Sequence, residues 1–246
     1  MSSASLWHVH TACGRRHPAS QDCSLARGAG QGVVLAVADG MGGTAGGGLA
    51  AQTAIRLLDR RIDGKHADEA GLVEMIRAAG EKIAGLAAEN PSLEGMGTTL
   101  TVVVVDKGQA SWAHVGDTRL YHLGGGVLTQ ITRDHRFLQD LLDSGDVSPA
   151  ELPRHPLRNL LDQCVGCPGL EPDCGSIPVA EGDLLLLTSD GLHDHVDVTT
   201  MRRLLEAEND LRDVAKRLAA ECVQNGSTDD VTIVLCRIGK QAGAEP

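Results

Sequence analysis

Apolar residues in this chain fall into short dense runs and longer periodic ones, and the two patterns predict different elements. Val33–Ala38 is a short, β-branched run and predicts a buried strand. Leu100–Val105 is almost wholly apolar, which predicts a strand covered on both faces. Ser111–Val115 and Leu120–Leu123 read as hairpin partners around Gly116-Asp117, with Gly124-Gly125-Gly126 as the next turn. Leu184–Thr188 and Val231–Ile238 are the last predicted strands. Leu72, Met75, Ile76, Ala79, Ile83 and Leu86 recur at helical spacing and predict an amphipathic helix that Asn90-Pro91 ends. Leu49, Ile55, Leu57 and Leu58 mark another helix, to about Arg61, entered through a flexible glycine-rich turn over Gly40–Gly48. Leu204–Leu218 carries helical spacing among many charges. From Ile131 to Pro172 the pattern is irregular, and Gly239–Pro246 reads as a loose tail. Strands cluster instead of alternating with helices, which predicts an α+β fold over a doubly wound sheet.

Composition narrows this picture. At 246 residues and 42% hydrophobic, with no repeat and no long linker, the chain is expected to form one domain over 1–246. Aromatics are only 2%, so Leu, Val, Ile and Ala must pack the core. A formal net charge of −11 argues against nucleic acid or an anionic membrane surface as partner. No apolar run is long enough to span a bilayer, and Met1–Thr11 lacks the layout of a signal peptide. The 7 cysteines then predict reduced thiols and a cytoplasmic location.

Charge enters the apolar pattern at particular places. Asp39 closes the run Val33–Ala38, Asp117 follows Ser111–Gly116, Asp190 follows Leu184–Ser189, and Asp229 precedes Val231–Leu235. A buried strand that ends in aspartate delivers its carboxylate rigidly to a sheet edge. Several such edges together make an anionic cluster that is costly unless cations fill it. Oxygen donors of this kind suit hard ions such as Mg²⁺ or Mn²⁺. Glycine after aspartate, as in Asp39-Gly40, lets a backbone carbonyl approach the ion without a Cβ clash. Other chemistries lack their signatures: Cys-x5-Arg, G-x4-G-K-[ST] and H-E-x-x-H are all missing. Cys164-Val165-Gly166-Cys167 with Cys174 has no fourth ligand at zinc spacing, so small thiols are the expectation there.

In order and spacing these segments resemble the metal-dependent PPM (protein phosphatase 2C-like) serine/threonine phosphatases, in their bacterial form. Asp39-Gly40-Met41-Gly42-Gly43 is similar to the family's DGMGG, and Gly97-Thr98-Thr99 to its GTT. Val115-Gly116-Asp117-Thr118-Arg119 is similar to VGDSR, Ser189-Asp190-Gly191-Leu192 to SDGL, and Gly226–Thr232 to the closing G-S-x-D-N-x-T, with Asp230 in the Asn place. The resemblance implies two antiparallel sheets packed as a sandwich, helix pairs on both outer faces, and metals at one end.

It also implies a protein phosphatase acting on phosphoserine and phosphothreonine, through a hydroxide shared by two Mg²⁺ or Mn²⁺ ions. Asp39 would bridge both ions, Gly40 would give its carbonyl, and Asp190 and Asp229 would bind the first. Asp117, with Asp190, would hold a third, weaker ion, and Asp22 would lie near the second. Phosphorylated proteins and a cognate serine/threonine kinase are the implied partners, and a monomer is expected. The alternative is a pseudophosphatase that binds phosphoproteins without turnover. Its support is two departures: His17 stands where the family carries a phosphate-binding Arg, and Ser20 replaces Asn. A guanidinium suits a phosphate dianion better than an imidazole, so Arg16 is the expected phosphate ligand beside His17. Met41 stands where eukaryotic members have a general-acid His. His135 and His155 read as structural or surface residues, and Asp230 as a supporting residue, not a ligand.

Overall fold

The computed structural model describes residues 5–239, apart from 17, 31, 63–67, 149 and 152–154. In chain order the strands are β1 (Leu6–Ala12), β2 (Asp22–Ala29), β3 (Gly32–Met41), β4 (Gly97–Thr98), β5 (Leu100–Asp106), β6 (Gln109–Val115), β7 (Arg119–Gly124), β8 (Val127–Gln130), β9 (Asp173–Pro178), β10 (Leu184–Thr188) and β11 (Val231–Arg237). The helices are α1 (Gly43–Arg61), α2 (Glu69–Glu89), α3 (Gln139–Ser144), α4 (Asp190–His193), α5 (Val198–Ala207) and α6 (Leu211–Gln224).

The dense apolar runs became strands buried on both faces, and their alternation assigns each face. In β3, Val33, Leu35 and Val37 point between two sheets, while Val34, Ala36 and Ala38 point outward to helices. In β10, Leu185 and Leu187 face the sheet interface, and Leu184 and Leu186 face the helices on the other side. One sheet has the order β1-β11-β10-β7-β8 and the other β2-β3-β5-β6-β9, with β4 paired to the end of β3. Every pairing is antiparallel. Helices α1 and α2 cover the second sheet, and α6, with α5 against it, covers the first. This is the α+β sandwich with helices on both faces that the pattern and the resemblance implied. Apolar area gained on both faces of each sheet drives the layering.

Three expectations fail. β6 and β7 are not hairpin partners: β6 pairs with β5 and β9, whereas β7 pairs with β8 and β10. The turn at Gly116 (φ 100°) carries the chain from one sheet to the other, and a Cβ there would lie 2.6 Å from Thr99 Cγ2. Asp117 therefore sits between the sheets, not on a hairpin tip. The glycines from Gly43 to Gly48 are not a flexible turn but the first turns of α1. A Cβ on Gly46 would meet Met96 Cβ at 2.7 Å, and one on Gly47 would meet Gln21 Oε1 and the Gly40 carbonyl oxygen at 2.7 Å. Glycine is used there for close packing against the end of β3, at a cost in helix propensity. Leu204–Leu218 is not one helix: it breaks between α5 and α6, where Asp210 caps α6 by accepting from the Arg212 N–H at 2.8 Å. Residues 240–246, read as a loose tail, lie outside the described residues.

Candidate active site

Asp39 is held by its own backbone. Its N–H donates to Thr99 Oγ1 (2.9 Å), and its carbonyl accepts from Thr98 Oγ1 and the Thr99 N–H, both at 2.8 Å. Gly40 donates its N–H to the Gln21 carbonyl (3.2 Å), and a Cβ on it would lie 2.1 Å from the Gly47 carbonyl oxygen. No larger residue fits where α1 begins against the strand end. Asp22 opens β2 directly opposite Asp39 in register. Its Oδ2 accepts from Ser189 Oγ (2.7 Å), and Ser189 Oγ accepts from the Thr232 N–H (2.9 Å). Asp22 thereby links the two sheets.

Asp190 opens α4 after β10, and Asp229 lies just before β11. Arg16 donates to Asp229 Oδ2. Asp230 is buried and accepts from the Gly14 and Gln21 N–H groups, each at 2.7 Å, so it ties the N-terminal segment down as a supporting residue. Asp117 accepts from Arg136 Nε (2.8 Å), and Arg136 also donates to both oxygens of Asp194, at 3.1 and 3.3 Å. Behind it, Arg119 grips Asp134 with two bonds of 2.8 and 2.7 Å. His135 is buried, accepts from the Gly116 N–H at 3.3 Å and contacts Asp173 at 3.1 Å, which is the structural role expected of it. His155 accepts from the Leu157 N–H (3.2 Å). His17 lies outside the described residues.

The electrostatics of this cluster are those of too many anions in too little water. Burial pushes Asp39 well above the ordinary carboxylate range, and the charges of Asp22, Asp190, Asp117 and Asp229 push it further. Burial raises Asp190 in the same way, reinforced by Asp117, Asp229 and Asp194. Asp22 is pushed up to about 6, first by burial, against its bond from Ser189. Asp117 is raised by burial although Arg136 pulls the other way.

A hard divalent cation fits this donor set. The candidate ligands are carboxylate and carbonyl oxygens alone. Asp22 Oδ1 is buried and has no hydrogen-bond partner, which is what a site built for a cation leaves behind. The carboxylates are not closed around one point: among the described residues no three His, Cys, Asp or Glu side chains converge as a finished metal cage. Asp229 and Asp117 are turned to Arg16 and Arg136, which act as counter-ions.

Asp190 and Asp229 border a cavity of about 430 Å³ that is also lined by Arg16, Arg119, Arg136, Arg158 and Asp194. Guanidinium groups facing an acidic cluster can bind an anion that is also drawn to a cation. Sequence reasoning missed Arg136, Asp194 and Arg158. Arg136 stands 19 residues from Asp117, and no spacing rule joins them. Cys164 and Cys167 are bonded to each other as a disulfide, so the expectation of reduced thiols fails there. Cys174 lies outside that pair on β9.

Known proteins can now be set beside this geometry. Residues 11–229 match the family Protein phosphatase 2C. The serine/threonine protein phosphatase PstP of Mycobacterium tuberculosis is 37% identical over 207 residues, which is 83% of this chain but 40% of PstP, so the chain spans less than half of that relative. Protein phosphatase PhpP of Streptococcus pneumoniae is 30% identical over 214 residues, covering 85% of this chain and 87% of PhpP. The catalytic domain of PstP, solved in complex with 2 manganese ions, superposes with a TM-score of 0.85 at 32% identity, covering 96% of this chain and 99% of that domain. A family match over residues 11–229, together with a relative 30% identical over 85% of the chain, makes this chain a member of the protein phosphatase 2C family.

Proposed function

We propose that this chain is a Mn²⁺- or Mg²⁺-dependent phosphatase that hydrolyses phosphoserine and phosphothreonine in proteins. The observation that carries the reading is the electrostatic coupling of Asp39 to Asp22, Asp190, Asp117 and Asp229, with burial raising the carboxyls of Asp22, Asp39, Asp117 and Asp190, and an orphaned Asp22 Oδ1. Support comes from the serine/threonine phosphatases it resembles and from the 2 manganese ions of the PstP domain.

Asp39, Gly40 through its carbonyl, Asp190, Asp229 and Asp22 are the residues we assign to two ions, and Asp117 with Asp190 to a third. Bound there, such ions supply positive charge to phosphoryl oxygens and lower the pKa of water for attack at phosphorus. The chain's own residues do the rest. Thr98 and Thr99 fix Asp39, Ser189 fixes Asp22, and Arg136 fixes Asp117. Arg16 pairs with Asp229 and lines the cavity, so it can exchange that carboxylate for a substrate phosphate once a cation neutralises Asp229. Met41 offers no proton, so the leaving alkoxide must take one from another group or from water at the site. Retention of every implied metal aspartate favours turnover over a pseudophosphatase that only binds. Phosphoproteins, a cognate serine/threonine kinase, a monomeric state and a cytoplasmic location belong to the same proposal.

The deciding experiment measures phosphate release from a phosphothreonine peptide with Mn²⁺, with chelator, and with Asp39→Asn. Activity should require the metal and fall by orders of magnitude in the variant. Chelator-insensitive turnover, or full activity in Asp39→Asn, refutes the assignment.

A further inference from the structure

We propose that Cys164 and Cys167 form a reversible thiol–disulfide exchange site that couples the redox state of its surroundings to the backbone holding Asp39. The two sulfurs are bonded, with a Cα–Cα distance of 5.2 Å, inside the range disulfides adopt. The surrounding sequence makes a seat for the bond. A Cβ on Gly97 would lie 2.7 Å from Cys164 Sγ, and one on Gly166 would lie 2.5 Å from Ile83 Cγ2. Gly166 also has φ 103°, which a side chain would strain. The Cys167 N–H closes the turn onto the Cys164 carbonyl at 3.1 Å.

The ends of the pair differ. Cys164 is buried, at 2% exposure, while Cys167 is part-exposed and is the sulfur an incoming thiol can reach. Cys222 and Cys236 are buried elsewhere, and burial pushes both thiols up to about 12, so they are poor competitors for exchange. The ring spans a sequence separation of only 3. A loop that short gains little from chain-entropy restriction, so a purely stabilising staple is a weak account of it.

Its position supplies the better account. Val165, between the cysteines, bonds Thr98 in both directions, at 2.8 and 3.1 Å. Thr98 Oγ1 donates to the Asp39 carbonyl (2.8 Å), and Thr98 is also the β4 partner of Gly40. The bonded pair thus stands one bridge away from the backbone of Asp39.

One thiolate of a reducing dithiol attacks Cys167 Sγ, the S–S bond breaks, and Cys164 leaves as a thiolate that takes a proton. The second thiol of the reductant then attacks the mixed disulfide and releases Cys167 as a thiol. Two electrons pass to the protein and the reductant becomes a disulfide; oxidation is the reverse. Opening the ring frees the Val165–Thr98 bridge from its cross-link and loosens the seat of Asp39. The reduced form should keep the fold and bind Mn²⁺ about 2- to 30-fold more weakly, the range by which a coupled distant change shifts affinity. This second effect rests on the metal-dependent reading above; the exchange chemistry does not.

The test equilibrates the whole protein with graded mixtures of reduced and oxidised dithiothreitol, alkylates it under denaturing conditions, and reads the thiols by peptide mass spectrometry. Mn²⁺ binding to each form is measured by calorimetry. Cys164 and Cys167 should change together as one two-electron unit while the protein stays folded by circular dichroism. Reduced protein and Cys167→Ser, which leaves the buried Cys164 in place, should share the weaker Mn²⁺ affinity. A pair that never oxidises, or that reduces only on unfolding, overturns the exchange site. Equal Mn²⁺ affinity in oxidised, reduced and Cys167→Ser forms overturns the coupling. If no form binds Mn²⁺, the metal reading falls and the coupling with it, and the alkylation pattern alone decides the exchange chemistry.

Discussion

Without metal, this protein should lose stability as pH rises from 5 to 7, and Asp22→Asn should remove a measurable part of that loss. Burial pushes the Asp22 carboxyl up to about 6 in the folded chain, against an ordinary value of 3.8. The folded state therefore holds this proton more tightly than the unfolded one. A proton bound preferentially by the folded state stabilises it below the folded pKa, and the benefit disappears as pH climbs through that value. At pH 5 the difference contributes roughly 1.4 kcal/mol, and at pH 7 almost nothing. The expected change is thus about 1.3 kcal/mol from Asp22 alone, or roughly 3–5 °C in Tm for a chain of this size. Asp39 and Asp190, also raised by burial, act in the same direction. The assay is thermal melting of chelator-treated wild type and Asp22→Asn between pH 5 and 7. Asparagine keeps an acceptor for Ser189 Oγ, so the bond between sheets survives. Saturating Mn²⁺ should reverse the slope of the wild type, because the ion binds the ionised cluster and competes with protons. Identical pH slopes in wild type and Asp22→Asn refute the reasoning, as does wild-type stability that rises with pH without metal.

Arg136→Gln should cost about 3–5 kcal/mol in denaturant unfolding of the metal-free protein, because Asp117 and Asp194 lose their shared buried partner; a change under 1 kcal/mol would show that solvent already compensates them. Arg16→Ala should raise KM for a phosphopeptide about tenfold or more, for loss of a charge-assisted bond worth roughly 1.5–3 kcal/mol; an unchanged KM would leave Arg16 a partner of Asp229 only. Gly47→Ala should destabilise by about 1–3 kcal/mol despite better helix propensity, since its Cβ would meet Gln21 Oε1 and the Gly40 carbonyl oxygen at 2.7 Å; a stabilised variant in thermal melts would show that the helix start can shift. Asp117→Ala should keep the fold and raise the Mn²⁺ concentration needed for turnover; an unchanged metal titration removes Asp117 from the third site.

The chain's local pattern was enough to place the central strands β3, β5, β10 and β11, because a strand buried on both faces must be apolar at every position. It also placed α2, whose periodic face and Asn90-Pro91 stop are local signals. The aspartates at the strand ends were legible for the same reason: charge interrupting an apolar run stands out. Edge strands were not legible. β1 and β2 are only half-buried, and β9 (Asp173–Pro178) carries Gly and Pro, so their extended form comes from partners distant in sequence. The glycines of α1 looked like a turn because helix propensity is local, whereas the close approach to Gln21 and Met96 that requires them is not. Only the tertiary structure could send Gly116-Asp117 across between the sheets and set Arg136 against Asp117. Only it could place Cys164 and Cys167 beside the strand that holds Asp39. Those contacts join segments with no periodic relation, and they exist because two sheets and their helices pack face to face.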